Sequence, residues 1–316
     1  MRTLVVGAGA IGGYFGGRLL EIGRDVTFLV RPKRAAELTS SGLIIHSRFG
    51  DVTIPNPQTV LAENLRETFD LILLSCKAYD LEDAIQSFAP AVGPNTAILP
   101  LLNGMRHLDV LDSRFGKERV LGGQCLIAVT LNAKREIAHL NDTHDLAFGE
   151  RDGASSPRVE GIQTLMAGAK FVSRLSQNIM QEMWAKWVFI ASGAGLTCLM
   201  RASVGDIVEA GEASLATTLL AECAAIANAE GFPPSAAAME RSTAMLTKPG
   251  SPLTASMLRD IESHARIEAG HVIGDLLQRG EKHSLATPLL RIAYAHLKAY
   301  EARRNPEAQA ASAAVN

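Results

Sequence analysis

Six residues near the start of the chain form a motif that can hold a phosphate group. They are Gly7, Ala8, Gly9, Ala10, Ile11 and Gly12, which match G-x-G-x-x-G directly after the apolar run Leu4–Val6. The first glycine permits a tight turn, the second lets the backbone approach a pyrophosphate, and the third lets helix and strand pack closely. Unpaired N–H groups at the start of the helix then face the anion. The position between strand and helix favours dinucleotide binding over a glycine-rich turn that binds nothing.

The end of the second predicted strand distinguishes between the two nicotinamide dinucleotides. This strand is predicted at 25–30 from its β-branched and aromatic residues, and Arg31 follows it. A carboxylate at this place would accept the ribose hydroxyls of NAD, whereas a cation pairs with the 2′-phosphate of NADP. We therefore predict NADP (NADPH) as the cofactor and Arg31 as one of its contacts. The alternative is an exposed basic turn, and Lys33 and Arg34 taken singly fit solvated surface charges.

Two further polar groups follow predicted strands of the same sheet. Lys77 comes directly after the strand-like run at 71–75, and Asn103 comes shortly after the one at 96–99. Ligands of open α/β sheets bind at the carboxyl ends of the strands. Lys77 is therefore a candidate contact of the cofactor, and Asn103 a candidate contact of the nicotinamide or the substrate. Because Asn-Gly is a common turn dipeptide, a purely structural role for Asn103 stays open.

A single lysine lies inside an apolar helical segment. Lys186 stands between Trp184 and Trp187 in a helix predicted over 179–200. Burial disfavours the charged form of an ammonium group, so a lysine in such a place can become a proton donor near neutral pH. The alternative is a snorkelling lysine, with its stem packed and its head in water. Glu268, on a later predicted helix, could orient this lysine or a substrate, or it could be a surface charge.

These residues need a scaffold of alternating strands and helices. Apolar strand-like runs at 4–6, 25–30, 71–75 and 96–99, separated by helical patterns, predict an α/β fold with a doubly wound parallel sheet of Rossmann type. A small hairpin is predicted over 43–54. Beyond residue 175 the patterns are helical, over 179–200, 214–230, 235–246, 263–279 and 288–303. We predict an NADP-binding domain at 1–174, an all-helical substrate domain at 175–304 and a disordered tail at 305–316.

Composition narrows the range of partners. The chain has 316 residues, 47% of them hydrophobic, and a net charge of −2, which gives no basic excess to attract nucleic acid or an anionic membrane. The four cysteines form no CxxC pair and the histidines no HxxH pair, so neither a disulfide framework nor a metal site is expected. No secretory signal is recognised at the start, and we expect a cytoplasmic enzyme. A homodimer formed through the apolar helical domain is a further expectation.

The ordered set of motifs resembles the ketopantoate reductase (2-dehydropantoate 2-reductase) family from the first strand to about residue 300. The glycine motif alone is shared by many dehydrogenases, whereas the lysine helix followed by S-M-x-x-D-I and a glutamate is much more specific. The segments that carry the resemblance are Gly7–Gly12, Arg31, Ser75–Lys77, Asn103–Met105, Trp184–Trp187, Ser256–Ile261 and Glu268.

The resemblance implies a reaction and assigns roles within it. NADPH would bind the N-terminal domain, and the enzyme would reduce 2-dehydropantoate to pantoate, a step of pantothenate biosynthesis. Lys186 would be the catalytic lysine that protonates the alkoxide as a hydride reaches the 2-keto carbon, and Glu268 the acidic residue near that lysine and the cofactor. The other contacts that the resemblance implies are Asn103 and Ser256 for positioning cofactor and substrate, and Lys77 and Ala128 for the cofactor.

One departure from the family concerns the substrate. The family often carries substrate-binding asparagines where this chain has Ile190, Ala194 and, approximately, Val204. Apolar side chains at such places remove the discrimination that hydrogen bonds to a substrate hydroxyl provide. A different, less polar 2-keto acid is therefore one alternative. A β-hydroxyacid dehydrogenase, which shares the lysine, and an NADPH-binding sensor without turnover are the others.

Overall fold

The computed structural model describes residues 1–304, and the chain divides into two compact units. Unit 1 consists of Met1–Leu102 and His107–Met180, and unit 2 consists of Asn103–Arg106 and the chain from Gln181 onward. The predicted boundary placed residues 175–180 in the second domain and residues 103–106 in the first, whereas the structure places 175–180 in unit 1 and 103–106 in unit 2. The tail predicted at 305–316 lies outside the described residues.

Unit 1 is built on a five-stranded parallel sheet. Its strand order is β5-β2-β1-β6-β7, and every neighbouring pair is parallel, which confirms the predicted Rossmann-type topology. Both faces of β1 are covered, and all of its residues are buried, which explains its uninterrupted apolar sequence. The strands are β1 (Thr3–Val6), β2 (Val26–Leu29), β5 (Gln58–Val60), β6 (Phe69–Leu74) and β7 (Val92–Pro100).

A second sheet, not predicted as a sheet from the sequence, completes unit 1. The hairpin predicted over 43–54 is confirmed, but it joins this second sheet, in the order β10-β9-β3-β4 with β8 antiparallel to β9. The long strand β9 contains the polar run Asn141–Thr143, which is typical of a loop and hid the strand. The strands are β3 (Leu43–His46), β4 (Val52–Ile54), β8 (Gly122–Leu131), β9 (Ile137–Gly149) and β10 (Val172–Leu175), and the helices of this half are α1 (Ala10–Glu21), α2 (Pro32–Ser41), α3 (Leu81–Phe88), α4 (Arg106–Phe115) and α5 (Pro157–Met166).

Helix α1 lies between the two sheets, and glycines on two of its faces let both sheets approach it. A Cβ atom on Gly16 would lie 2.7 Å from the ring of Phe28 in the parallel sheet. A Cβ atom on Gly17 would lie 2.7 Å from Ile45 Cδ1 in the second sheet. Side chains at these places would separate the layers, so the glycines that follow the motif are required for packing.

Unit 2 is helical, as predicted, and in the described residues it contains no strand. Its long helix α6 spans Ile179–Met200, and Trp184 and Trp187 are both almost completely buried. By length and composition alone α6 could cross a membrane, but 61% of its most apolar window is buried inside the fold. The other helices are α7 (Val204–Glu209), α8 (Ala213–Ala229), α9 (Ala236–Leu246), α10 (Ser256–Glu262), α11 (Asp275–Lys282) and α12 (Pro288–Arg304).

The prediction of a single helix over 263–279 is wrong. Helix α10 ends at Glu262, the segment 265–268 is not helical, and a π-helical turn over Gly270–Gly274 leads into α11. His264, two residues after α10 ends, adopts a left-handed conformation with φ of 55°, which an L-residue rarely adopts within a helix. A break at this point is invisible to the periodicity of apolar residues, because the segments on both sides carry the same helical spacing.

The close approach of α1 to the parallel sheet leads to a stability prediction. Gly16→Ala places a methyl group against the fully buried ring of Phe28, and overpacking of this kind costs about 1–3 kcal/mol, against about 1 kcal/mol gained from the helix propensity of alanine. We expect a lower free energy of unfolding, measured by urea denaturation. The matched control is Gly193→Ala in α6, whose Cβ would meet only Leu246, at 3.4 Å. A Gly16→Ala protein as stable as this control would contradict the packing argument.

Candidate active site

The glycine motif forms a loop with an open side and a closed side. Gly7 has a φ of +92°, a conformation that favours glycine. A Cβ atom on Gly9 would meet nothing within 4 Å, whereas one on Gly12 would collide with the carbonyl of Gly7 and with Ser75 Oγ. The protein's own packing therefore does not require a glycine at position 9. The open backbone there fits the close approach of a pyrophosphate to the start of α1.

The strand order brings the predicted cofactor residues to one edge of the sheet. Strands β2, β1 and β6 are neighbours and parallel, so the residues that follow them share the carboxyl edge. Ser75 Oγ, after β6, donates to the carbonyl of Val6 at 3.1 Å and so ties two of these strand ends together. Lys77 is half-buried two residues further on, directly before a 3₁₀ turn at Ala78–Asp80.

Arg31 and Arg34 behave differently at this edge. Arg31 precedes Pro32 at the start of α2, and its exposed side chain (69%) forms ion pairs with Asp80 at 3.3 Å and Asp83 at 3.5 Å. Arg34 is packed and donates from Nε to the carbonyl of Ala8 at 2.9 Å. Sequence reasoning treated Arg34 as surface charge, yet it supports the glycine loop itself. The spacing of three residues after Arg31, on the first turn of a helix, was the signal that could have found it.

Ala128 lies on the second sheet, in strand β8. Its N–H donates to Asn141 Oδ1 at 2.9 Å where the pairing of β8 with β9 changes register, between Ile127 and Val129. An irregularity of this kind redirects the strand and interrupts the pairing locally, and the pairing resumes at Val129. The bulge gives Ala128 a distinctive backbone position, and its contact with a cofactor stays a prediction.

Lys186 projects from the middle of α6. It is half-buried and adjacent to a pair of buried indoles, those of Trp184 and Trp187, whose ring centroids are 4.9 Å apart. Ile190 and Ala194 follow at intervals of four residues, so they extend along the same side of the helix. Ile190 is half-buried and Ala194 is 4% exposed.

Asn103 and Glu268 come together with the π-helical turn in unit 2. Gly104 has a φ of +80°, and a Cβ atom on it would lie 2.9 Å from the carbonyl oxygen of His271 and 3.1 Å from the edge of its ring. The carbonyl of Glu268 accepts the N–H groups of His271 at 3.1 Å and Val272 at 2.9 Å, so Glu268 begins this turn. The Asn103–Gly104 turn therefore lies on the segment that starts at Glu268, although 165 residues of sequence separate them.

Trp187 connects this assembly to the lysine helix. Its Nε1 donates to the carbonyl of Val272 at 2.7 Å, and both groups are buried. Residue 187 directly follows Lys186, and residue 272 directly follows His271. The structure thus brings three of the predicted site segments together around one turn, namely Asn103, Lys186 and Glu268. π-Helical turns are rare and occur frequently at functional sites.

Ser256 is less closely tied to this group. It is exposed and forms the first residue of α10. The preceding loop is held by the N–H of Ala255, which donates to Thr197 Oγ1 on α6 at 3.2 Å, and by the N–H of Val204, which donates to the carbonyl of Leu253 at 3.0 Å. Val204 is fully buried and Ala194 is 4% exposed, so of the three apolar replacements Ile190 is the one that is only half-buried. In residues 1–304 no cluster of three or more His, Cys, Asp or Glu side chains could hold a metal ion.

The two halves of the chain match the two halves of one family. Residues 3–153 match the model of ketopantoate reductase PanE/ApbA, and residues 178–301 match its C-terminal model. The chain therefore belongs to the ketopantoate reductase family and is an oxidoreductase. The chemistry of this family is the reduction of 2-keto acids with a reduced nicotinamide dinucleotide.

Individual relatives cover almost the whole chain. It is 40% identical to the uncharacterized oxidoreductase YkpB of Bacillus subtilis (strain 168) over 96% of this chain and 100% of that protein. The crystal structure of 2-dehydropantoate 2-reductase from Methylococcus capsulatus is similar with a TM-score of 0.86 and 28% identity, covering 96% and 98% of the two chains. D-mandelate dehydrogenase, in a ternary structure with NADH and anilino(oxo)acetate, shares the fold with a TM-score of 0.86 at 20% identity, over 96% of this chain and 100% of that one.

The open side of the glycine loop can be tested without any substrate. In Gly9→Ala the new methyl group enters the space that a pyrophosphate needs, while the backbone at φ −79° and ψ −161° accepts alanine without strain. We expect the Kd for NADPH, measured by fluorescence titration, to rise about 10- to 100-fold, or about 1.4–2.8 kcal/mol. Thermal unfolding of the protein without NADPH serves as the control and should be unchanged. Unaltered NADPH affinity would exclude this loop as the pyrophosphate site.

Proposed function

We propose that this protein is an NADPH-dependent 2-keto acid reductase, with 2-dehydropantoate as the first candidate substrate and Lys186 as the general acid. The observation that supports the proposal is that the chain segments containing Asn103, Lys186 and Glu268 meet around one turn of unit 2. When bound, NADPH supplies the hydride that reduces the 2-keto carbon. The Lys186 ammonium group donates the proton to the ketone oxygen, and the product is the 2-hydroxy acid.

The remaining roles are those that the family resemblance implies. Asn103 can donate and accept hydrogen bonds and holds the nicotinamide amide or the substrate. The Glu268 carboxylate orients the ammonium group of Lys186 and contacts the cofactor. Ser256, an exposed hydroxyl at the start of α10, hydrogen-bonds the substrate. Lys77 and Ala128 contact the cofactor.

The preference for NADPH over NADH rests on the charge at the end of β2. Arg31 stands where NAD enzymes place a carboxylate, and its exposed guanidinium group can form a bidentate pair with a 2′-phosphate. Its present partners, Asp80 and Asp83, form solvent-exposed pairs of the kind that contribute little and exchange readily. Arg34 contributes by fixing Ala8 in the loop.

A second candidate substrate class is a less polar 2-keto acid. Ile190 and Ala194 extend from Lys186 along α6 and offer no hydrogen bond to a substrate hydroxyl. A site with apolar groups at these places binds an aliphatic or aromatic side chain and discriminates weakly against the loss of a hydroxyl. The free state of all four cysteines agrees with a cytoplasmic location, which together with a homodimer is part of the proposal.

Turnover with a panel of 2-keto acids tests the proposed function. The purified protein should oxidise NADPH, followed by absorbance, with 2-dehydropantoate, an aliphatic 2-keto acid lacking the hydroxyl, and an aromatic one. We expect a higher kcat/KM with NADPH than with NADH for each. Turnover highest with the aromatic acid would select the less polar class. Tight NADPH binding without reduction of any of these acids would reject the proposed reductase activity and favour a nucleotide-binding sensor.

The role of Lys186 is tested by its removal. Lys186→Ala should lower kcat by about 10²- to 10⁴-fold, because the alkoxide then has no positioned proton donor. NADPH affinity should stay close to that of the parent protein, since the proposal gives Lys186 no contact with the cofactor. The matched control is Lys248→Ala, an exposed lysine of the same unit, which should retain full activity. Full activity in Lys186→Ala would assign the proton to another group.

A further inference from the structure

We propose that His271 is a positioning residue that fixes the Asn103–Gly104 turn beside Glu268. Its role in catalysis rests on the reductase function proposed above, but its role in holding the turn does not. No motif of the sequence singles out this histidine. Its importance follows from where the turn and the π-helical segment meet.

The imidazole of His271 is buried against the backbone of the turn. His271 is 9% exposed. The Cδ2–Nε2 edge of its ring faces Gly104, and a Cβ atom built on Gly104 would lie 3.1 Å from Cδ2 and 3.5 Å from Nε2. The imidazole is hydrogen-bonded to the backbone of Asn103, and this bond favours the protonated ring. The ring N–H is therefore the donor, and the carbonyl of Asn103 is the acceptor. A ring that fills this space and donates this bond holds the backbone of the turn from which the Asn103 side chain extends.

Burial keeps this histidine neutral. Burial is the largest influence and lowers the pKa of His271, and the nearby Arg106 acts in the same direction. Glu268, Asp275 and the Asn103 backbone act in the opposite direction and do not overcome burial. A neutral imidazole has one N–H, and the bond to Asn103 uses it, so the tautomer is selected by the turn.

The backbone on both sides of His271 is fixed independently. Its own N–H donates to the carbonyl of Glu268 at 3.1 Å, and the carbonyl of the next residue, Val272, accepts from Trp187 Nε1 at 2.7 Å. The histidine therefore stands on a rigid support that is tied to Glu268 on one side and to the helix of Lys186 on the other. Through its ring this support extends to Asn103. Substrate-positioning groups held in this way determine whether the reacting atoms meet.

The experiment compares two substitutions of His271. His271→Gln retains an amide N–H near the position of Nε2, whereas His271→Phe keeps a planar ring but removes the donor. We expect His271→Phe to lower kcat/KM for the preferred keto acid by about 10- to 100-fold, as a misplaced positioning group does. His271→Gln should restore most of this loss. Leu297→Ala, at a fully buried site of α12, is the control for general destabilisation and should leave kcat/KM unchanged below its Tm.

A double-mutant cycle shows whether His271 acts through Asn103. If it does, His271→Phe has almost no further effect in an Asn103→Ala background, because the side chain that it positions is already gone. Additive losses in kcat/KM would overturn the proposal and leave His271 as an ordinary core residue.

A readout without turnover separates this inference from the proposed function. Hydrogen–deuterium exchange of the peptide that contains Asn103–Arg106 should accelerate in His271→Phe and stay near the parent rate in His271→Gln and Leu297→Ala. Equal exchange in all variants would overturn the positioning role, whatever the protein reduces. If exchange of this peptide accelerates in His271→Phe but the parent protein reduces no keto acid, the role of His271 in the turn stands and only the proposed reductase function is rejected.

Discussion

The cofactor half of the protein depends on the absence of side chains along one helix. Helix α1 must begin at a loop that admits a pyrophosphate and must then pass between two sheets that approach it from both sides. Gly16 meets the ring of Phe28 on one side, and Gly17 meets Ile45 on the other. The requirement for close packing thus continues for a full turn beyond the nucleotide motif. Gly9 is different, because only a ligand needs the space above it.

The catalytic half depends on a short irregular segment rather than on regular helices. The chain breaks after α10, and the carbonyl of Glu268 begins the next helical segment. The π-helical turn that follows contacts the Asn103–Gly104 segment and accepts a hydrogen bond from the indole of Trp187. The irregularity brings together residues from three remote parts of the sequence. The regular helical structure is thus interrupted at the place where the proposed function puts the chemistry.

The sequence predicts those features that follow from local chemistry. The strand–glycine loop–helix unit, the parallel sheet and the length of α6 were correctly predicted, because apolar periodicity and glycine positions report on them directly. Strand β9 was missed, since its buried polar contacts, such as Tyr14 Oη with His144 Nδ1 at 2.8 Å, are made by residues that alone resemble a loop. The support of the glycine loop by Arg34 and the contact of His271 with Gly104 are tertiary. Neither leaves a periodic signal.

Chemistry and specificity are separable in this fold because different residues carry them. Lys186 and Glu268 are fixed relative to the π-helical turn, whereas Ile190 and Ala194 extend away from it along α6. Under the proposed function, apolar side chains at the latter two places alter which substrate side chain is stabilised and leave Lys186, the proposed proton donor, in its place. A reductase can therefore exchange its substrate through two positions on one helix without rebuilding the segments that surround His271.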